Sequence, residues 1–510
     1  MSVTTHPQLA ELIDRLRPVG ERPWHWIGHW AEVTPDATAI SGPGFRWTYR
    51  RYDAEVTKWA ARTAAAAGTG GVVAVSARKR PDVIAAMVGV MRSGNTLLPL
   101  DAQETPRRLE RILVEAAPSA VFADSSATGL HGLVDHHPFE SDEPLPPVEP
   151  VETPDGAVAS ISYTSGSTGV PKGLATPFSS LLQRTAEAVV GMGLGPEHVL
   201  SQVHELSFLV ASSRNVFGAA AAGAELRLFD PRVQSVAGMI DSISEARVTH
   251  LHCPPQMIRA VLGACGPDDP RLASLTWVRL GTDRTHPGDV RAALRCLPDG
   301  CEFIVGYGST EFGDLAHTSF RRGDELPTGR IPVGRLKPWL EARLLDDDGR
   351  EVQEGNEGIL EVRTRGVIPQ PFPARGEVDP HRWVRIGDSA RMLADGSLDL
   401  VGRVTARVKV DGVAVDLNEV EAVLQAHPSV GTVACAVREI GDLGRVELIA
   451  HVVAAAPVVL ADLAEHCRTL PVHARPRRFE FLDALPSTAR GKVDREALRL
   501  GVGSSERKDP

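Results

Sequence analysis

Residues 157–173 read AVASISYTSGSTGVPKG. Small and apolar residues alternate over 157–163, as in a buried strand, and a run of hydroxyls and glycines follows at once. The pattern places a tight turn between a buried strand and a helix. In such a turn backbone N–H groups converge on an anion. The hydroxyls of Thr164, Ser165, Ser167 and Thr168 supply further donors. Gly166 and Gly169 permit positive φ and the close approach of phosphate oxygens. Lys172 adds a mobile positive charge. No Gly-Lys-Ser or Gly-Lys-Thr occurs in the chain, so the common G-x-x-x-x-G-K-[ST] nucleotide loop is excluded and a different phosphate chemistry is implied.

Outward from that loop, short apolar runs at 72–76 (VVAVS), 97–100 (LLPL) and 120–123 (AVFA) alternate with helical patterns such as 83–91. That alternation predicts α/β layering. A proline-rich connector, 144–154, leads into the quoted strand. Further on, 404–415 (VTARVKVDGVAV) reads as two alternating half-strands hinged at Asp411 and Gly412. Leu417, Val420, Val423 and Leu424 then recur at helical spacing. The expected architecture is α/β: a large multi-layer N-terminal domain over 1–402 and a small mobile α+β domain over 403–510. A chain of 510 residues is long enough for two or three such units.

Composition narrows the function classes. Apolar residues make up 43% and charged residues 24%, which suits a folded globular chain. The 55 Lys and Arg stand against 65 Asp and Glu, so a general grip on nucleic acid is not expected and phosphate binding must be local. The start, MSVTTHPQLAEL, has neither a basic front nor an apolar core, and the best apolar stretch, 449–464, is broken by His451 and Pro457. No membrane association and a cytoplasmic location are expected. The six cysteines lack the two-residue spacing of zinc or redox pairs and read as reduced, structural residues.

The loop at 164–173 resembles the most specific motif of the adenylate-forming superfamily, which includes acyl-CoA synthetases, luciferases and the adenylation domains of non-ribosomal peptide synthetases. The resemblance extends along the chain through 47–49 (WTY), 92–101 (RSGNTLLPLD), 307–311 (YGSTE), 386–388 (IGD), 402–412 and 491–495 (GKVDR). It implies an enzyme that uses ATP and Mg²⁺ to join a small carboxylic acid to AMP. Under the resemblance Tyr307 stacks on adenine, Thr310 touches the α-phosphate and Glu311 holds Mg²⁺, a hard cation suited to a carboxylate. Asp388 accepts from the ribose hydroxyls and Arg403 lies beside the ribose. Gly281 and Thr282 belong to a less closely matching adenine-side segment. Lys492 bridges substrate carboxylate and nucleotide, opposing the charge that develops in the transition state. The hinge near Arg403 departs from the family at Thr405 and Asp411, which bears on the second half-reaction.

In amino-acid-activating relatives an Asp pairs with the substrate α-ammonium group. The corresponding position here is Leu209 or Val210, according to whether Phe208 or Phe217 anchors the alignment, so a standard α-amino acid is disfavoured. The same alignment puts His204, Arg214, His252, Arg279, Gly306, Asp314 and Leu315 around the acyl group. Two arginines and an aspartate suit a polar acid, with a second carboxylate or an amino group away from the α position. The alternative is that several of these residues lie elsewhere or form a structural ion pair. After Arg495 only a short tail follows, so the acceptor is expected to be a separate acyl or peptidyl carrier protein, with coenzyme A or an amine as the other choices.

Overall fold

The computed structural model describes residues 6–140, 145–165, 171–207, 209–281, 285–327, 330–346, 348–373, 379, 381–403, 407–410, 413–440, 445–470, 474–488 and 493–501. The chain divides into two compact units. The first comprises Met1–Glu341 and Arg363–Trp383; the second comprises Ala342–Val362 and Val384–Pro510. The chain passes between them along the strands Leu340–Leu345 and Glu357–Thr364. Residue 403 is the last of the strand Leu398–Arg403, within the second unit.

The first unit is built on two mixed sheets. One runs, in spatial order, Gly313–Phe320, Glu302–Ser309, Trp277–Leu280, His250–Cys253, Val199–Gln202, Glu225–Leu228, Thr38–Gly42 and Phe45–Thr48. Its interior pairs are parallel and each edge pair is antiparallel. The other runs Gln370–Phe372, Pro171–Pro177, Val158–Ser165, Thr96–Leu100, Val72–Ser76, Ala120–Ala123 and His137–Pro138.

One apolar core joins the two sheets. The helix Pro81–Arg92 buries every residue except Asp82 and Arg92, so it is apolar all round and belongs to an interior layer. Its Ala85, Met87 and Met91 share a cluster with Val73 and Leu97 of one sheet and with Ile40, Leu200 and Leu226 of the other. The helices Phe178–Gly191 and Leu209–Ala222 contribute Phe178, Leu181, Ala186, Val216 and Phe217 to the same cluster.

The second unit has a four-stranded sheet, Leu340–Leu345, Glu357–Thr364, Val384–Met392 and Leu398–Arg403, followed by the hairpin Arg407–Val410 and Val413–Asp416. A three-stranded sheet of Val430–Ile440, Arg445–Ala454 and Arg478–Phe481 packs with the helix Leu417–Gln425 around Val420, Leu424, Cys435, Leu448 and Leu463. The α/β reading, with a large N-terminal and a smaller C-terminal part, holds. All six cysteines are buried and none is in a disulfide. Among the described residues no helix is long and apolar enough to cross a membrane.

One local expectation is corrected. The hydroxyl-rich loop does not lead into a helix; it joins Val158–Ser165 to the antiparallel strand Pro171–Pro177, and the helix begins only at Phe178. Residues 172–176 pair with 160–164, and Leu174, Ala175 and Thr176 are buried, so pairing and burial hold this segment extended up to Pro177. The expected anion-binding segment is therefore flanked by two paired strands, with no helix directly after it.

Candidate functional site

The last described pairs of that hairpin are Thr164 with Lys172 and Ser165 with Pro171. Gly166, Ser167, Thr168 and Gly169 lie outside the described residues, as do the side chains of Thr164 and Ser165. Lys172 is exposed at the start of the returning strand.

Tyr307, 8% exposed, sits near the end of Glu302–Ser309, where the antiparallel register with Gly313–Phe320 shifts between residues 307 and 308. A Cβ at Gly308 would lie 2.3 Å from the carbonyl oxygen of Gly313, so the two strands close onto their turn only with glycine there. Thr310, Glu311 and Phe312 form the turn. Phe312 is buried, and its N–H donates to Ser309 Oγ at 3.3 Å. The carbonyls of Thr310 and Glu311 accept from Arg184 Nη2 at 2.9 and 2.7 Å. Glu311 is partly exposed, and among the described residues no cation stands at ion-pair distance from it, although Arg184 and Arg382 attract it from farther off; its carboxylate is a hard oxygen donor suited to a divalent cation. The residues present thus fit Mg²⁺ at this turn.

Beside this turn lies a charged cluster. Strand alternation sends Leu251, Val278, Leu280, Phe303 and Val305 into one apolar cluster. His252, Arg279 and Gly306 take the opposite face, with His252 and Arg279 in direct register. The Arg279 guanidinium crosses Gly306, where a Cβ would stand 2.1 Å from Nη2. It then donates to the Asp314 carboxylate from a buried position. Three further groups face the other oxygen of Asp314: Arg214 Nη2 at 3.6 Å, Lys337 Nζ at 3.7 Å and His317 Nδ1 at 3.8 Å.

Burial works to raise the Asp314 carboxyl, but Arg279 and then Arg214 outweigh it and hold the group well below the usual carboxylate range. Burial pulls Arg279 down to about 10, against the attraction of Asp314. Asp314 is therefore ionised, and one carboxylate faces Arg279, Arg214 and Lys337. The ion pair left open by the sequence is present, with Arg214 as its third member.

His204 and His252 stand with ring centroids 4.6 Å apart. Burial, then Lys79, lowers His204 to about 3. Burial, then His204, Arg279 and Arg214, puts His252 well below the ordinary imidazole value. Both are neutral near pH 7. His252 Nδ1 is buried without a hydrogen-bond partner among the described residues. Gly281, expected on the adenine side, lies against the same histidine pair: a Cβ there would stand 3.2 Å from His252 Nε2. Thr282 lies outside the described residues, as do the side chains of Leu209 and Val210 at the start of Leu209–Ala222. Leu315 is fully buried, and strand alternation turns it away from Asp314.

Four residues of this region carried no motif. Lys337 and His317 complete the ring around Asp314. Arg184 and Glu187, both on Phe178–Gly191, add opposite charges that act on each other, and Glu187 is also influenced by Asp314 and Lys337. Burial, countered mainly by the bond from Gln183, pushes Glu187 up to about 7, with Asp314 adding to the rise. The only advance sign of His317 was its nearness in the chain to Asp314, and nothing local marked Lys337 or Arg184.

In the second unit Asp388, 6% exposed, lies on Val384–Met392 and pairs in register with Arg403. That register brings these two expected ribose-side residues side by side; the Arg403 side chain lies outside the described residues. Thr405, Asp411 and Lys492 are outside them too.

Comparison with known proteins adds family evidence. Residues 27–370 match the family model described as AMP-binding enzyme, and residues 419–492 match the AMP-binding enzyme C-terminal domain. The chain is 30% identical over 489 residues to phenyloxazoline synthase MbtB of Mycobacterium sp. (strain MCS), covering 92% of this chain and 41% of that relative. It is 29% identical over 503 residues to syringomycin synthase SyrB1 of Pseudomonas syringae pv. syringae, covering 92% and 80%. Its fold is similar to that of O-succinylbenzoate coenzyme A synthetase of Bacillus subtilis solved with ATP and magnesium ion, with a TM-score of 0.80, 20% identity and coverage of 93% and 98%.

Proposed function

The chain belongs to the AMP-binding enzyme family, and from that premise we propose that it activates a small polar carboxylic acid as its acyl-AMP and passes the acyl group to the phosphopantetheine thiol of a carrier protein. A dicarboxylate or a non-standard amino acid is the favoured acid. The observation that carries this choice is the imbalance at Asp314, where one ionised carboxylate faces Arg214, Arg279 and Lys337. An anionic or strongly polar acyl group would offset the surplus cations, whereas an aliphatic chain would leave them poorly solvated.

In the first half-reaction a substrate carboxylate oxygen attacks the α-phosphorus of ATP as the bond to pyrophosphate breaks. The hairpin loop at 164–173, with Lys172, would hold phosphate oxygens; Tyr307 would stack on adenine and Thr310 would contact the α-phosphate. Lys492 would oppose the negative charge gathering on the reacting oxygens. Glu311 would hold Mg²⁺, which when bound neutralises triphosphate charge. Asp388 and Arg403 would serve the ribose. In the second half-reaction the acceptor thiol attacks the acyl carbon and AMP leaves, with residues 403–510 as the part that moves between the two.

The carrier-protein reading is supported by further relatives named as a tripeptide synthetase and a dimodular nonribosomal peptide synthase; coenzyme A is the alternative acceptor, in keeping with the synthetase of similar fold. Work on ATP and a metabolic acid suits a cytoplasmic site of action. Acid-dependent exchange of labelled pyrophosphate into ATP tests the first half-reaction. Supplying a carrier thiol, coenzyme A or an amine to preformed acyl-AMP tests the second.

A further inference from the structure

The turn that carries Glu311 is secured from outside its own strands. Residues 310–312 lie between the two paired strands, so the ladder offers the carbonyls of Thr310 and Glu311 no partner there. A single nitrogen, Arg184 Nη2, donates to both, at 2.9 and 2.7 Å. The same side chain lies against the following residue: a Cβ on Gly313 would stand 3.6 Å from Arg184 Nε. Burial lowers the Arg184 guanidinium to about 10, with Glu187 and Glu311 opposing that fall. A charged group is thus held in a partly buried place where its hydrogen bonds go to the main chain of one turn.

We propose that Arg184 is a positioning residue for the metal and nucleotide half of the site: by fixing the carbonyls of Thr310 and Glu311 it sets where the Glu311 carboxylate and the Thr310 hydroxyl stand. This rests on the reading of Thr310 and Glu311 as phosphate and metal contacts. Two charge-assisted bonds to one turn make its conformation expensive to change, because loss of the donor leaves two carbonyls unpaired in a partly buried setting. The helix Phe178–Gly191 begins directly after the strand Pro171–Pro177, so one continuous segment carries both the loop at 164–173 and the anchor of the turn at 310–312.

The test is calorimetric binding of Mg·ATP without any acid, alongside thermal unfolding of the free protein, for wild type, Arg184→Met and Arg184→Lys. Methionine keeps an unbranched apolar stem and removes every donor; lysine restores N–H donors on a charged head. Arg184→Met is expected to weaken Mg·ATP binding about tenfold or more, the loss expected for hydrogen bonds to a charged group. Arg184→Lys should recover most of it, and the KM for the acid should stay near wild type in both. Arg184→Gln, whose short amide cannot span both carbonyls, replaces the methionine variant if that protein does not fold and carries the same expectation. Wild-type Mg·ATP affinity in Arg184→Met or its replacement, or a lysine variant as weak as it, overturns the positioning role. A wild-type protein that binds no Mg·ATP overturns the reading of Glu311 as well, so the two failures are distinct.

Discussion

Arg279 and Asp314, 35 positions apart in the chain, form a buried ion pair whose guanidinium occupies the space that a Cβ on Gly306 would need. Three neighbouring strands therefore converge on one charge contact. Removing one partner leaves the other charge buried and unpaired, which costs far more than the net value of the intact pair. Asp314→Ala is expected to lose about 3–5 kcal/mol of stability, and adding Arg279→Leu to it should recover part of that loss. Denaturant unfolding of both variants checks this; an Asp314→Ala protein as stable as wild type would show that the pair contributes nothing.

Arg214, at 3.6 Å, holds Asp314 less closely than Arg279 does, and so is the arginine of the pair better able to turn to a substrate anion. Arg214→Ala is expected to raise the KM for the preferred acid roughly tenfold or more, the size of a charge-assisted contact. The KM for ATP should stay nearly unchanged, because lost ground-state binding is felt in KM for the ligand concerned. Steady-state kinetics with each substrate varied in turn decides the matter, and equal acid KM values would remove Arg214 from substrate recognition.

Glu187 gives the protein a pH-dependent weakness. Its folded value is raised from 4.5 to about 7, mainly by burial. Its stabilising contribution is therefore full below the unfolded value and is lost as pH rises through the folded one, since the unfolded chain gives up the proton first. Between about pH 5 and about pH 8 the wild type should lose stability relative to Glu187→Gln, which has no proton to lose. Thermal midpoints of the two proteins should separate steadily across that window in favour of the glutamine variant. A constant gap would mean that Glu187 titrates at its ordinary value.

The elements legible in the sequence were those whose information is local. The hairpin loop announces itself through Thr164 to Gly169, and the strands at 72–76 and 120–123 through short β-branched and aromatic runs that stop where the structure ends them. The Asp314 cluster was half legible: Arg214, Arg279 and Asp314 were singled out, but their pairing was left open. Lys337 and His317 were missed because a lysine or histidine reads as solvated: Lys337 meets Asp314 only once the chain folds back to it, and His317 does so only across three positions of the same strand. Arg184 was missed for the same reason, since only tertiary packing reveals a helix side chain bonded to carbonyls more than 120 residues away. The strand Pro171–Pro177 was mistaken for part of a helical approach because its pairing with 158–165 is invisible to a scan for periodicity.

Lys492 is expected to act on the transition state. Lys492→Ala should slow adenylation by at least about a hundredfold, as for loss of a charge aimed at developing negative charge. Mg·ATP affinity should change little by comparison. Rapid-quench measurement of acyl-AMP formation, with ATP binding measured beside it, separates the two effects; unaltered formation would take Lys492 out of the mechanism.

The central claim, that this enzyme adenylates a small polar acid, is tested most directly by exchange of labelled pyrophosphate into ATP across a panel of carboxylic acids. The panel should span dicarboxylates, non-α amino acids, ordinary α-amino acids and fatty acids. The account predicts that exchange requires an acid and is fastest with a dicarboxylate or a non-α amino acid. Fastest exchange with decanoate or phenylalanine would contradict the charged-site reading, and no exchange with any acid would contradict the claim as a whole.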